Sequence, residues 1–264
     1  KGCSSTRAVF CRTEASRQSV LKYMPSFKPE VSPDPAFSMK PMDREGVILA
    51  LEKYGLSQVF NNGAICVSTC ETGPIARHCF PEFTDPSSRL DAHRQFLADI
   101  LSFAAKEFDK EIVFLPHALG PGKALNDIMV AKAVKGKMST SAQNRTHILN
   151  EDLPASMLKG IIREADFMIS ERIHAMIGAV GVATPFLCLG SKTDRRVKGI
   201  LTDLVGCGNQ VVYMNEPNLE KTLDRLRKAY LSRDEISKSL ESVALCFKKM
   251  HYQVGDSIRQ SLKE

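Results

Sequence analysis

At 264 residues, with 43% hydrophobic and 25% charged side chains, the composition is that of an ordinary globular protein. It excludes disordered and fibrous classes and allows one large domain, or one domain plus part of another. A formal charge of +6 suits anionic small molecules as well as nucleic acid, but no Lys/Arg block interleaved with aromatics favours nucleic acid.

In chain order, residues 8–11 read as a short strand and 14–24 as a helix with Val20, Leu21 and Met24 on one face. Prolines at 33, 35 and 41 mark 31–39 as extended or turning chain and as a domain boundary. Residues 46–53 read as a helix. From residue 64 onward strands and helices alternate. The strands fall at 64–68, 111–115, 146–149, 167–169, 185–189 and 211–213. The helices fall at 89–108, 127–134, 155–164, 196–204, 219–231 and 235–262, and a long loop fills 70–87. Apolar strands separated by helices predict an α/β fold, a doubly wound parallel sheet covered on both faces.

Eight cysteines with no Cys-x-x-Cys pair form neither a disulfide framework nor a zinc site. Cys11, Cys66 and Cys188 lie in apolar runs and read as buried reduced thiols. The longest weakly charged run, 173–189, is shorter than a bilayer span of ~20 residues and contains Pro185, so no membrane span is expected. These features favour the cytoplasm, with the Golgi lumen as the alternative in a eukaryote; Asn144-Arg145-Thr146 fits a glycosylation sequon that matters only in that case. The chain opens at Lys1 and enters a strand almost at once, which reads as the loss of a natural N-terminal part.

The residues richest in chemistry are Ser170-Glu171-Arg172-Ile173-His174, where a buried strand becomes a small-residue helix. Open α/β sheets bind ligands at such strand ends. Ser170 suits a helix N-cap, and Glu171 favours a helix N-terminus. Ile173, Met176, Ile177 and Val180 form the apolar stripe, flanked by Arg172 and His174. Two residues apart in a regular helix diverge by ~200°, so both face one ligand only if Arg172 precedes the first complete turn. The competing reading is an arginine on local carbonyls and a histidine filling a seam. His117 follows another buried strand at the same sheet edge, with Asp127 beyond it. Gly120-Pro121-Gly122-Lys123 lacks the spacing of a nucleotide loop and reads as an ordinary turn.

Residues 165–206 resemble the C-terminal signature of the polysaccharide pyruvyl transferase family. Arg172, Ile173 and His174 match its Arg-Leu-His turn, and Gly181, Thr184 and Pro185 fall near its Gly-x-Pro. Upstream, Arg12, Glu14 and Ser16 resemble its Arg-acidic-x-x-Ser helix start with shifted spacing, and residues 34–37 resemble its Asp-Pro-Ala-Phe segment. Arg196 stands where the family often has Lys, and the family's opening glycine-rich unit has no counterpart here.

The resemblance implies a Rossmann-like, GT-B-type architecture. Residues 1–43 would be the end of an N-terminal lobe and linker, and 44–264 a C-terminal lobe with a long terminal helix. It implies transfer of an enolpyruvyl group from phosphoenolpyruvate onto two hydroxyls of a glycan or glycan precursor, giving a ketal, with no cofactor or metal. Histidine is the side chain suited to proton transfer near neutral pH, and arginines hold phosphate and carboxylate through paired hydrogen bonds. The implied roles are His174 as general acid, Arg172 as anion clamp, and His117 beside the acceptor hydroxyl with Asp127 orienting a neighbour. Arg196 and Lys198 are further phosphate contacts, against the alternative of a solvated helix start. Arg77, in the long loop, is a candidate acceptor contact. Two other readings stay open: a nucleotide-sugar glycosyltransferase of the same architecture, which needs a carboxylate such as Glu171 for the ribose, and a non-catalytic sugar- or anion-binding remnant.

Overall fold

The structure, a computed structural model, describes residues 6, 8–122 and 125–262. Its elements are β1 (Phe10–Cys11), α1 (Glu14–Tyr23), β2 (Glu30–Val31), a 3-10 turn (Pro35–Phe37), α2 (Arg44–Lys53), α3 (Ser57–Asn61), β3 (Ala64–Ser68), α4 (Gly73–His78) and α5 (Pro86–Glu107). There follow β4 (Glu111–Phe114), α6 (Asp127–Lys135), α7 (Thr140–Asn144), β5 (Thr146–Ile148), α8 (Ala155–Arg163), β6 (Phe167–Ser170) and α9 (Ile173–Gly181). The chain ends with β7 (Phe186–Gly190), a π-helical turn (Val197–Thr202), a 3-10 turn (Gly208–Gln210), β8 (Val211–Tyr213), α10 (Leu219–Leu231) and α11 (Arg233–Ser261).

Six strands pair in parallel in the order β5-β4-β3-β6-β7-β8, and β1 and β2 form a separate parallel ladder. Successive strand side chains point to opposite faces, and here both faces are apolar. Ala64, Cys66, Met168, Phe186 and Cys188 enter one core with α8 and α9. Ile65, Val67, Phe167, Ile169, Leu187 and Leu189 enter the other with α5 and α10. The doubly wound α/β reading therefore holds. Strand order reverses between β3 and β6, so their C-terminal ends form the topological switch point, where this class of fold opens a ligand crevice.

Several local expectations need correction. The 70–87 loop contains α4, which buries Ile75 and the adjoining Cys79 and Phe80. The helix expected at 196–204 is a π-helical turn, with i→i+5 bonds from Asp203 N–H to the Lys198 carbonyl and from Val205 N–H to the Ile200 carbonyl. The short helices α3 and α7 are too brief to show a hydrophobic period. In the Gly120–Lys123 turn, Lys123 lies outside the described residues.

α9 is buried almost throughout, because alanines and glycines let other backbone approach it closely. A Cβ on Gly181 would lie 2.3 Å from the Phe37 carbonyl oxygen and 2.6 Å from Lys159 Nζ. The 35–37 turn is held from two further sides. Phe37 packs edge-on against Phe247 of α11 at 4.8 Å, and His251 Nε2 donates to the Pro33 carbonyl at 2.9 Å. Backbone cannot yield as a flexible side chain does, so Gly181→Ala is expected to cost about 1–3 kcal/mol, read as a lowered midpoint in urea denaturation.

Candidate active site

The switch point opens into a 520 Å³ cavity bordered by Cys70 and Thr72 after β3, His117 after β4, Arg172 and His174 after β6, and Asp194 and Arg196 after β7. That volume is in the usual range for a small-molecule site. Along its length, α8 contributes Leu158, Lys159 and Ile162, α9 contributes Gly178, and the preceding chain contributes Met39. Arg172 and His174 share this crevice because Arg172 is the N-cap residue, with extended backbone at φ −95° and ψ 119°. This meets the geometric condition the two-residue spacing imposed.

Ser170 is not the cap. It still belongs to β6, and its Oγ accepts from the Arg172 N–H at 3.0 Å and donates to the Arg172 carbonyl at 3.2 Å. It thereby shapes the turn without reaching the helix. No side chain caps α9. The N–H groups of Ile173, His174 and Ala175 have no hydrogen-bond partner among the described residues, and Ile173 and His174 border the cavity; an uncapped helix end of this kind attracts anions.

The Arg172 guanidinium is positioned by Asp127, which is 2% exposed. Nε donates to Asp127 Oδ2 at 2.7 Å and to the Thr69 carbonyl at 3.0 Å, and Nη2 donates to Asp127 Oδ1. Nη1 has no partner among the described residues and is the edge left for a ligand. Burial opposes the charge, but the Asp127 pair holds the pKa of Arg172 above its ordinary value. Asp127 also accepts from the backbone N–H groups of His117 and Ala118, at 2.8 and 3.0 Å. One carboxylate thus sets two site residues at once.

His117 Nδ1 lies 3.0 Å from the Leu115 carbonyl, which can only accept. Nδ1 is therefore the protonated nitrogen, also 3.0 Å from Ser68 Oγ, and Nε2 keeps its lone pair. Burial pulls the His117 pKa down to about 4, against the opposing pull of the Leu115 carbonyl and Asp127, so the ring is neutral at physiological pH. His174 is exposed and makes no hydrogen bond among the described residues, which leaves both ring nitrogens open to a ligand.

Arg196 borders the cavity with one edge paired to Asp194, Nε at 2.9 Å and Nη2 at 2.7 Å. Lys198 and Arg77 do not join it. Lys198 sits between the buried Val197 and Gly199, so its side chain turns outward to Asp203 at 2.8 Å. Arg77 is exposed on α4, two positions beyond the buried Ile75 and on the other side of that helix.

Two features escaped the sequence reading. Lys159 is 2% exposed and borders the cavity, and its Nζ donates to the Ala36 and Phe37 carbonyls at 2.9 and 2.8 Å. Burial lowers its pKa to about 8, and no carboxylate pairs with it among the described residues. Its sequence signal was a lysine inside an apolar helical run. The second feature joins the two upstream motifs: Arg12 Nη1 meets Asp34 Oδ2 at 2.5 Å, and Asp34 Oδ1 accepts from the Ala36 N–H at 3.0 Å. Burial pushes the Asp34 carboxyl up, but Arg12, the Ala36 N–H and nearby His174 hold it below its ordinary value. The N-terminal segment therefore forms one flank of the site.

Each cavity arginine is already matched by a carboxylate. The uncompensated positive character comes from the open helix end and Lys159, with the free guanidinium edges as directed donors. Directed guanidinium donors and a helix N-terminus are groups that hold small anions by geometry as much as by charge. No group of three His, Cys, Asp or Glu side chains that could hold a metal ion occurs among the described residues, and no described helix is long and apolar enough to cross a membrane.

Solved structures similar to this chain are GT-B glycosyltransferases. The trehalose-6-phosphate synthase of Burkholderia multivorans aligns with a TM-score of 0.54 at 14% identity, over 97% of this chain and 59% of its own. An E. coli trehalose-6-phosphate structure bound with UDP-2-fluoro glucose aligns with a TM-score of 0.53 at 14% identity, over 95% and 60%. The E. coli ADP-heptose lipopolysaccharide heptosyltransferase II aligns with a TM-score of 0.50 at 11% identity, over 73% and 53%. The chain thus spans about three fifths of the length of the first of these proteins, and at such identities the likeness is one of fold. No curated protein sequence matches it. The family model described as Polysaccharide pyruvyl transferase matches residues 4–193, well over half of the chain and including the Arg172–His174 turn. The chain belongs to the polysaccharide pyruvyl transferase family.

Proposed function

We propose that the cavity transfers the enolpyruvyl group of phosphoenolpyruvate to two hydroxyls of a glycan sugar, forming a pyruvate ketal and releasing phosphate. The observation that carries this reading is the convergence of Arg172 Nη1, His174 and the uncapped α9 terminus on one cavity. The anionic donor binds across the α9 N–H groups, Arg172 and Arg196. His174 protonates the methylene carbon, and the resulting oxocarbenium centre is attacked by the first sugar hydroxyl. His117 Nε2, which carries a lone pair, accepts the proton of that hydroxyl. Phosphate then departs with cleavage of its bond to the central carbon, and the second hydroxyl closes the ketal. The methyl carbon thus gains the His174 proton, His117 holds the proton of the first hydroxyl, and phosphate carries away that of the second. Return of the His117 proton to His174 through solvent resets the pair for the next turnover. The wall formed by Leu158, Ile162 and Met39 leaves room beside the donor for the acceptor.

Incubation of the full-length protein with phosphoenolpyruvate and galactosides is expected to release inorganic phosphate in step with a ketal-bearing product. Absence of both would overturn the reading. A second reading, a nucleotide-sugar glycosyltransferase, is favoured by the solved structures the fold resembles. Against it, both oxygens of Glu171, the carboxylate it would need, are engaged inside the protein. Thermal stabilisation by a nucleoside diphosphate and not by phosphoenolpyruvate would favour that second reading.

A further inference from the structure

Along α5, two adjacent polar residues interrupt an apolar face that buries Phe96, Leu97, Ile100 and Leu101. The first of them, His93, is 2% exposed. Its Nε2 donates to Glu171 Oε1 at 2.5 Å, and its Nδ1 lies 3.8 Å from Glu71 Oε1 with no hydrogen-bond partner. Glu71 takes both Nε and Nη2 of Arg94, at 2.6 and 2.7 Å. The other oxygen of Glu171 accepts from the Cys70 N–H at 2.8 Å. The Phe80 ring closes the side of the imidazole at 5.9 Å. Arg94, Glu71, His93 and Glu171 therefore balance two carboxylates against two cations only when His93 is charged.

We infer that His93 is a positioning residue: its imidazolium holds the chain after β3 and the chain after β6 in register, and so aims Arg172 and the first turn of α9. Those two segments are stitched twice, by Glu171 to the Cys70 N–H and by Arg172 Nε to the Thr69 carbonyl, and both stitches border the cavity. A buried ionic network adds little net stability over apolar packing of the same volume, so its physical use here is to fix one arrangement. Burial alone would lower the His93 pKa, but Glu171 and Glu71 overrule it and raise it from 6.5 to about 9. A folded-state pKa above the unfolded one contributes stability that is complete below pH 6.5 and is lost as pH rises through about 9. The groups facing His93 are Glu171, Glu71 with its partner Arg94, and Phe80.

The inference rests on the pyruvyl-transfer reading of the cavity, and its test has one arm that does not. His93→Gln keeps a donor near Glu171 and removes the charge; Glu171→Gln removes the charge from the other side. Each variant is compared with wild type for phosphate release from phosphoenolpyruvate, and for iodoacetamide labelling of Cys70 with the exposed Cys246 as internal reference. Both variants are expected to lose about 10-fold to 100-fold in kcat, with a smaller change in KM, and to label Cys70 several-fold faster while Cys246 is unchanged. The alkaline fall in wild-type activity near pH 9 should be missing from His93→Gln. If His93→Gln does not fold, Glu171→Gln carries the decision. Wild-type kcat and Cys70 labelling in a folded variant would overturn the inference. Absence of turnover in wild type, with faster Cys70 labelling in the variants, would sink the pyruvyl reading and leave the positioning role standing.

Discussion

His174→Ala is expected to lower pyruvyl transfer by about 10²- to 10⁴-fold, the usual contribution of a positioned general acid. The loss should fall on kcat. Donor affinity should change only a few-fold, because the α9 N–H groups, Arg172 Nη1 and Arg196 all remain. His174 is exposed and makes no hydrogen bond among the described residues, so stability should move by less than about 0.5 kcal/mol. Phosphate release measured beside titration calorimetry with phosphoenolpyruvate separates the two effects. A variant that binds donor and turns over at the wild-type rate would remove His174 from the acid role.

Asp127→Ala is expected to be the most damaging single change in the site. It leaves the half-buried Arg172 guanidinium without its counter-charge and orphans the N–H groups of His117 and Ala118. Breaking a buried pair from one side costs about 3–5 kcal/mol, which chemical denaturation would read directly. Activity should fall by more than about 100-fold as Arg172 and His117 lose their aim. The double variant Asp127→Ala/Arg172→Met should recover part of the stability and none of the activity, because the unpaired charge is gone but so is the clamp. Equal destabilisation of the single and double variants would show that the pair does not set the cost.

Much of the sheet was legible along the chain. The strand expected at 64–68 is β3, that at 211–213 is β8, and the helix at 219–231 is α10. These segments carry an uninterrupted apolar run or a clean helical period, so local pattern and tertiary burial agree. The strand-to-helix turn at Arg172–His174 was legible as well, but spacing left open whether both side chains reach one crevice, and the extended backbone of Arg172 decided it. Arg77 was expected on a loop and Lys198 at the start of a regular helix, and which way a basic side chain points from either depends on backbone that the sequence pattern does not fix. The π-helical turn sends Lys198 outward, and α4 sends Arg77 away from the crevice.

Local sequence pattern by itself determined the individual strands and helices, hence the α/β class, and the turn that carries the arginine and the histidine, because each of these elements depends on residues within a few positions of one another. The partners of that turn were decided by the tertiary structure alone. Asp127 meets Arg172 across 45 positions, His93 meets Glu171 across 78 and Lys159 meets Phe37 across 122. Such pairings depend on β3 lying beside β6 and on which helix covers which face. No periodicity encodes those relations, since they are set by how the elements share one buried volume.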